Sequence, residues 1–504
     1  MKRILYLFAA IVVVAVAQRR CIPNPCGINA DCFEIFGRVE CVCREGHIGN
    51  PWRKCCNSSD SSCWLDPHCK TFDGTYYDYQ GTCPYIFSKN CQELDDMEKN
   101  YVVKAKNKLY YPKSPVSYVS EVQVEMHGQK LHVDEKLKLR VNGVNTNFPY
   151  YYPSKDDAKL VAEIKGGQSY IRNQDYVTVR FSKQFLKMTI PHLDEYLGDT
   201  GVCGFAGNLN QNCTDDLIDR DGQVQIQKTC RYPVNKQGLM RVASVLDTWR
   251  TDDFTDFGKG DDCKTGGKIA PAFEECDPTK KAKLEKECLP LKQAAEGTGP
   301  FAVCKGLGKE MINTMYESCV FDGCLVNGAK CDTFQAFVTN CQQALRKIEL
   351  PAWREVTDCK RNCHLELPGS TYSACMFGCQ PTCAEPKVEK CDQPCYEGCQ
   401  CNPGTVLDTS VTPARCVFPA QCPACTDKNG GPRKENQSWL LPGCTQKNVC
   451  FRKQIHTQEY ECDPNATCGV NEAGNVQCLC NTGYRQIDVN KCEPKNPLLF
   501  NSFQ

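Results

Sequence analysis

The sequence predicts a multidomain, mainly β extracellular protein: an antiparallel β-sandwich, a small α-helical cysteine-rich domain, and disulfide-rich small modules at both ends. Three observations lead there. Cysteine supplies 41 of 504 residues, about 8%, a level typical of disulfide scaffolds. Apolar residues alternate with period two between Tyr101 and His192, the pattern of strands with one buried face. The N-terminus reads as a secretory signal, which places the cysteines in an oxidising lumen. A chain of this length needs several cores.

The signal spans residues 1–17. Lys2-Arg3 precedes the apolar run Ile4 to Val14, and Ala15-Val16-Ala17 offers a small-residue cleavage site before Gln18. The run is short for a bilayer span and no later stretch of about 20 apolar residues follows, so the expectation is a secreted protein without membrane insertion. Lys plus Arg and Asp plus Glu balance at 60 each, which removes the bulk field that recruits nucleic acid. Asn57, Asn212, Asn436 and Asn465 head glycosylation sequons.

Residues 18–56 contain Cys21-x4-Cys26-x5-Cys32-x8-Cys41-x-Cys43-x11-Cys55, with too few apolar residues between them for a core. Crosslinks must do that job, each contributing about 2–4 kcal/mol. The run resembles an EGF-like module, and the resemblance implies the pairs Cys21–Cys32, Cys26–Cys41 and Cys43–Cys55. No acidic run precedes Cys21, so calcium is not expected here.

Residues 57–263 open on Cys63-Trp64-Leu65-Asp66-Pro67-His68-Cys69-Lys70-Thr71-Phe72-Asp73-Gly74, followed by Gly81-Thr82-Cys83. Val122, Val124 and Met126 then share one strand face, as do Leu137, Leu139 and Val141, Val177, Val179 and Phe181, and Leu186, Met188 and Ile190. The opening segment, with Gly201-Val202-Cys203-Gly204 far downstream, resembles a von Willebrand factor type D domain. That resemblance implies a β-sandwich, the disulfides Cys63–Cys203 and Cys83–Cys263, and a partner for Cys91 among Cys69, Cys213 and Cys230.

The loop Gly207 to Asp216 alternates Asn side chains and ends in paired Asp carboxylates. Calcium takes six to eight oxygen ligands, and such a loop can supply most of them, although Asn and Asp also build metal-free turns. The type D resemblance implies a Ca2+ site formed by Asp73, Asn208, Asn210, Asp215 and Asp216. Two reactive chemistries that some type D domains carry are not expected. Thr200 replaces the first cysteine of a Cys-x-x-Cys redox pair, and Leu65 replaces the Gly of the Gly-Asp-Pro-His sequence at which some type D domains split themselves. Leu resists backbone conformations open to Gly, so a rigid turn is the expectation there. Cys422-Pro423-Ala424-Cys425 joins two modules rather than forming a redox pair.

Residues 264–359 change texture. Lys283 to Ala295 is helix-permissive, and Phe334, Phe337, Val338, Cys341, Leu345 and Ile348 make a helical stripe. Cys288, Cys304, Cys319, Cys324, Cys331, Cys341 and Cys359 resemble the eight-cysteine domain that accompanies type D domains, with one cysteine short. Residues 360–422 hold ten cysteines from Cys363 to Cys422 and resemble a trypsin-inhibitor-like module. Its inhibitory loop would be Asp392-Gln393-Pro394, which offers no basic or large apolar residue. Residues 423–449 are similar to a shortened von Willebrand type C segment. Residues 450–492 resemble a second EGF-like module with disulfide cysteines Cys462, Cys478, Cys480 and Cys492, and 493–504 form a tail.

The odd cysteine count implies a free thiol or an intermolecular bond, with Cys56, Cys276 and the eight-cysteine module as candidates for a disulfide-linked homo-oligomer. His68, His127 and His192 stand in no catalytic motif, and no catalytic residue or enzyme activity is expected. The order of modules resembles one repeat of the large gel-forming and adhesive proteins. It implies a secreted, calcium-binding matrix, mucus or adhesion protein whose partners are extracellular proteins or glycoproteins. The alternative is a secreted serine protease inhibitor acting through the trypsin-inhibitor-like module.

Overall fold

A computed structural model describes residues 21, 23–35, 38–44, 47–92, 99–251, 257, 263–272, 276–345, 348–388, 391, 393–488 and 491–495. The signal segment, Asp392 and residues 496–504 lie outside these. Among the described residues no helix is long and apolar enough to cross a membrane.

Two antiparallel sheets face each other across the main core. One runs, in spatial order, Tyr150–Pro153, Ala158–Lys165, Gln168–Asn173, Thr178–Ser182, Phe185–Pro191, Ser58–Trp64, His68–Lys70 and Tyr76–Asp78. The other runs Val144–Thr146, Leu139–Val141, Gln129–Asp134, Ser117–Met126, Tyr101–Leu109, Pro84–Asn90 and Val202–Cys203. The alternation read from the sequence sets the buried faces: Val122, Val124 and Met126 from one sheet meet Leu186, Met188 and Ile190 from the other in one core cluster. Leu137 stands just before its strand with φ 60° and packs on the core from the turn.

A helical layer follows. The permissive stretch from Lys283 forms two helices, Pro278–Glu287 and Leu289–Glu296, which meet at Cys288, with Pro290 in the first turn of the second. Lys309–Leu325 and Ala329–Leu345 complete the layer. Trp64, Leu65, Tyr76 and Phe185 of the sandwich share a core with Phe301, Phe334, Phe337 and Trp353 of the helices. The two domains therefore meet through apolar burial. Arg354 then reaches the next module, placing Nε 2.6 Å from Oε1 of the buried Glu397 on strand Tyr396–Cys401.

The disulfides depart from the expected set in ways that geometry explains. Cys83 bonds Cys263 across 180 residues, as the resemblance implied, but Cys63 bonds Cys69 rather than Cys203. Cys63 and Cys69 stand opposite each other in a tight antiparallel pair. Cys203 lies in the other sheet, where strand Val202–Cys203 pairs with Pro84–Asn90, and the Cys91 N–H donates to Gly201 O at 3.2 Å. Cys91 therefore bonds Cys203, and Cys213 bonds Cys230. In the helical layer Cys276 supplies the missing eighth cysteine by bonding Cys324, beside Cys288–Cys319, Cys304–Cys341 and Cys331–Cys359.

At the N-terminus the bonds are Cys21–Cys32, Cys26–Cys41 and Cys43–Cys55. The boundary drawn at 449/450 is not respected. Cys425–Cys450 and Cys444–Cys468 cross or abut it, and Gln446–Phe451 is the middle strand of a three-stranded sheet. Cys462–Cys478 and Cys480–Cys492 follow. Cys56 is left as the one free thiol, buried at 5% exposure. Burial pushes it up, with Lys54 opposing and Asp194 and Glu195 adding. Cys56, a candidate for the disulfide-linked oligomer, is thus buried rather than at the surface.

Candidate metal centre

Asp73 occupies the turn between strands His68–Lys70 and Tyr76–Asp78. Gly74 there has φ 105°, in the region that favours glycine. Thr71 organises the turn: its Oγ1 accepts the N–H groups of Thr75 at 2.7 Å and Gly74 at 3.2 Å, and donates to Asp216 Oδ2 at 2.6 Å. The Phe72 N–H donates to Ala206 O. This brings the turn against the loop that begins at Gly207.

Within that loop Asp73 Oδ2 accepts the backbone N–H groups of Asn210 and Gln211, both at 2.8 Å. Asn210 Nδ2 donates to Asp199 Oδ1 at 2.7 Å and lies 3.3 Å from both oxygens of Asp215. Asn212 caps the short turn Cys213–Asp215 by accepting from Thr214, and its Nδ2 donates to Asp215 Oδ2 at 2.7 Å. The Cys213–Cys230 bond fixes the far end.

Beneath this network lie Asn208 and Asp216, 2% and 1% exposed, and Oδ1 of each is buried with no hydrogen-bond partner. An orphaned buried acceptor costs about 1–3 kcal/mol, so two of them beside acidic neighbours suit a cation. Gly207, at φ 77°, leaves the room: a Cβ there would lie 2.7 Å from Asp216 Oδ1. Burial raises the Asp216 carboxyl to about 7; the Thr71 hydrogen bond opposes this and the charge of Asp73 adds to it. Burial also raises Asp73, against the backbone donors from Asn210 and Gln211.

Asp73, Asn210 and Asp215 are thus joined by hydrogen bonds, and Asn208 and Asp216 hold the free oxygens. The donor set is all oxygen, which fits calcium. Thr71 and Asp199 were not read from the sequence; Thr71 lies two residues before Asp73, where a hydroxyl that closes a turn is a recognisable signal.

The other candidates take definite places. Cys203, Cys422 and Cys425 are bonded to Cys91, Cys383 and Cys450, so neither Cys-x-x-Cys reading has a dithiol. Leu65 does adopt the conformation that Leu was expected to resist: its φ is 55°, its N–H donates to Gln184 O at 2.8 Å, and its side chain is buried against the helical layer. Packing holds it there. Asn57, Asn212 and Asn436 are exposed, and Asn465 is half-buried. In the trypsin-inhibitor-like module Gln393 accepts from Arg180 of the sandwich, Gly378 O accepts from Gly166 N, and a Cβ on Gly378 would clash with Pro394 O. Gln393 of the candidate inhibitory loop is thus in contact with the sandwich.

A disulfide-laced β-sandwich with a buried oxygen site, followed by a helical layer and cysteine-rich modules, defines a class of multimodular extracellular scaffold. The chain carries a von Willebrand factor type D domain over residues 61–223, a C8 domain over 287–360, a trypsin inhibitor like cysteine rich domain over 367–422 and a TILa domain over 424–479. The TILa match spans the stretch read as a type C-like segment and continues into the stretch read as a second EGF-like module.

The chain is similar to zonadhesin of Mus musculus, 26% identical over 490 residues, covering 91% of this chain and 8% of the relative. It is similar to alpha-tectorin of Homo sapiens, 28% identical over 483 residues, covering 91% and 20%. It is also similar to IgGFc-binding protein of Homo sapiens, 26% identical over 455 residues, covering 87% and 8%. The chain thus spans a fifth or less of the length of these relatives.

Proposed function

We propose that this chain is a secreted, calcium-binding extracellular matrix, mucus or cell-adhesion protein that works by binding other extracellular proteins or glycoproteins and has no catalytic activity. The observation that carries the calcium reading is the pair of buried, unpartnered oxygens on Asn208 and Asp216 under the Asp73 turn. Calcium there ties residue 73 to residues 208–216, stiffening one end of the sandwich as a platform. The matrix or adhesion reading rests on the order of modules and on the likeness to zonadhesin and alpha-tectorin over nine-tenths of the chain. Glycans at the exposed sequons suit the same setting.

Calorimetric titration of calcium into chelator-stripped secreted protein tests the site. One binding event, lost in Asp216→Asn, is expected; an unchanged isotherm in that variant defeats the reading. The protease inhibitor reading is disfavoured by the contact of Gln393 with Arg180, and absence of stoichiometric inhibition of trypsin-, chymotrypsin- and elastase-like enzymes is expected.

A further inference from the structure

A second polar cluster lies where the sandwich meets the C8 helices. His68 is 3% exposed and Asp66, Asp78 and Asp322 are 0%, 6% and 2% exposed. His68 Nδ1 lies 2.8 Å from Asp78 Oδ1, while Nε2 lies 2.7 Å from Asp322 Oδ1 and 3.2 Å from Asp66 Oδ1. Asp322 comes from helix Lys309–Leu325 of the C8 domain, 254 residues along the chain from His68.

The charge does not balance. Among the described residues the ion pairs of these three carboxylates all run to the one imidazole. Both oxygens of Asp66, Oδ2 of Asp78 and Oδ2 of Asp322 have no hydrogen-bond partner. If Nδ1–H donates to Asp78, Nε2 is a lone pair facing two carboxylate oxygens. Three acceptors then converge on one point, which requires a proton or a cation between them.

We propose that Asp66, His68 Nε2 and Asp322 bind a divalent transition-metal ion of the zinc class, and that the ion clamps the type D domain to the C8 domain. The imidazole nitrogen excludes a calcium-type site, since calcium takes oxygen. All the donor atoms lie within 4.8 Å of one another. Zinc bonds of about 2.0–2.2 Å in a tetrahedron set donor separations of roughly 3.4 Å. The Nε2–Asp66 distance already matches, and Asp322 needs to swing out by a fraction of an ångström. The free second oxygens of Asp66 and Asp322 can fill the fourth position. Asp78 on Nδ1 is the outer carboxylate that metal-bound histidines commonly have, fixing the tautomer and the ring plane. Phe321 packs edge-on to His68 with ring centres 5.8 Å apart and the Trp64 ring centre lies 6.3 Å away, so two aromatic rings flank the imidazole.

The test uses the full secreted chain, stripped with chelator, returned to calcium, then equilibrated with zinc chloride and desalted. Elemental analysis is expected to find one zinc per chain, retained in Asp216→Asn and lost in Asp322→Asn. That contrast separates this site from the calcium loop. Cobalt(II) replaces zinc in a parallel arm and needs no variant: intense visible bands of a tetrahedral nitrogen–oxygen site are expected from unmutated protein. No retained zinc and no such spectrum would overturn the proposal, as would equal zinc in Asp322→Asn.

Discussion

Thr71 Oγ1 donates to Asp216 Oδ2 at 2.6 Å, tying the turn between strands His68–Lys70 and Tyr76–Asp78 to a loop 145 residues later. Thr71 contributes no oxygen of its own to calcium in this reading; it aims a carboxylate. Thr71→Val keeps the shape and removes the bond. Losing such an outer contact typically weakens metal binding about 10- to 100-fold, and titration calorimetry is expected to show that loss at unchanged stoichiometry.

Calcium-free protein carries a pH signature. Asp216 sits near 3.8 when unfolded and about 7 when folded, so the folded state holds the extra proton between those values. Stability from this group is present at low pH and falls as pH rises towards 7. Calcium, which needs the carboxylate, offsets that loss. The calcium-induced rise in melting temperature is therefore expected to be larger at pH 7.5 than at pH 5, with the difference reduced in Asp216→Asn.

Cys56 is buried and its thiol is pushed up by burial, so little thiolate forms and reagent cannot reach it. A thiol assay is expected to read no fast-reacting group in native protein and one per chain in denaturant. Non-reducing gels of Cys56→Ser and unmutated protein should show the same monomer band.

Glu397 is buried between Arg354, 2.6 Å from one oxygen, and Arg361, 3.3 Å from the other. Arg354→Met keeps the bulk and strands half of that charge. Breaking a buried pair from one side costs about 3–5 kcal/mol. Calorimetric scans should show the transition of the C8 and trypsin-inhibitor-like modules shifted down, with the calcium isotherm intact.

Strand faces were legible because burial on one side imposes period two, and Val122, Val124, Leu186 and Met188 are all fully buried. The loop proposed to hold calcium stood out because Asn208, Asn210, Asp215 and Asp216 lie close together in the chain, whereas Asp73 joins them only through the fold. Disulfide partners were less so. Cys63–Cys69 depends on a register that puts the two residues face to face, and Cys276 stands outside the spacing of the other seven C8 cysteines. Asp322 was invisible for a similar reason: nothing local marks a helix carboxylate whose partner is His68. Leu65 shows the opposite failure, since tertiary packing holds a residue in a conformation its own preference opposes.

The Cys83–Cys263 bond encloses most of the sandwich in one covalent ring. A protease that nicks any surface loop between those two residues opens the ring without releasing a fragment. Damage of that kind would pass unseen on a non-reducing gel and appear only after reduction, so the scaffold can be cut once in its extracellular setting and still hold its modules together.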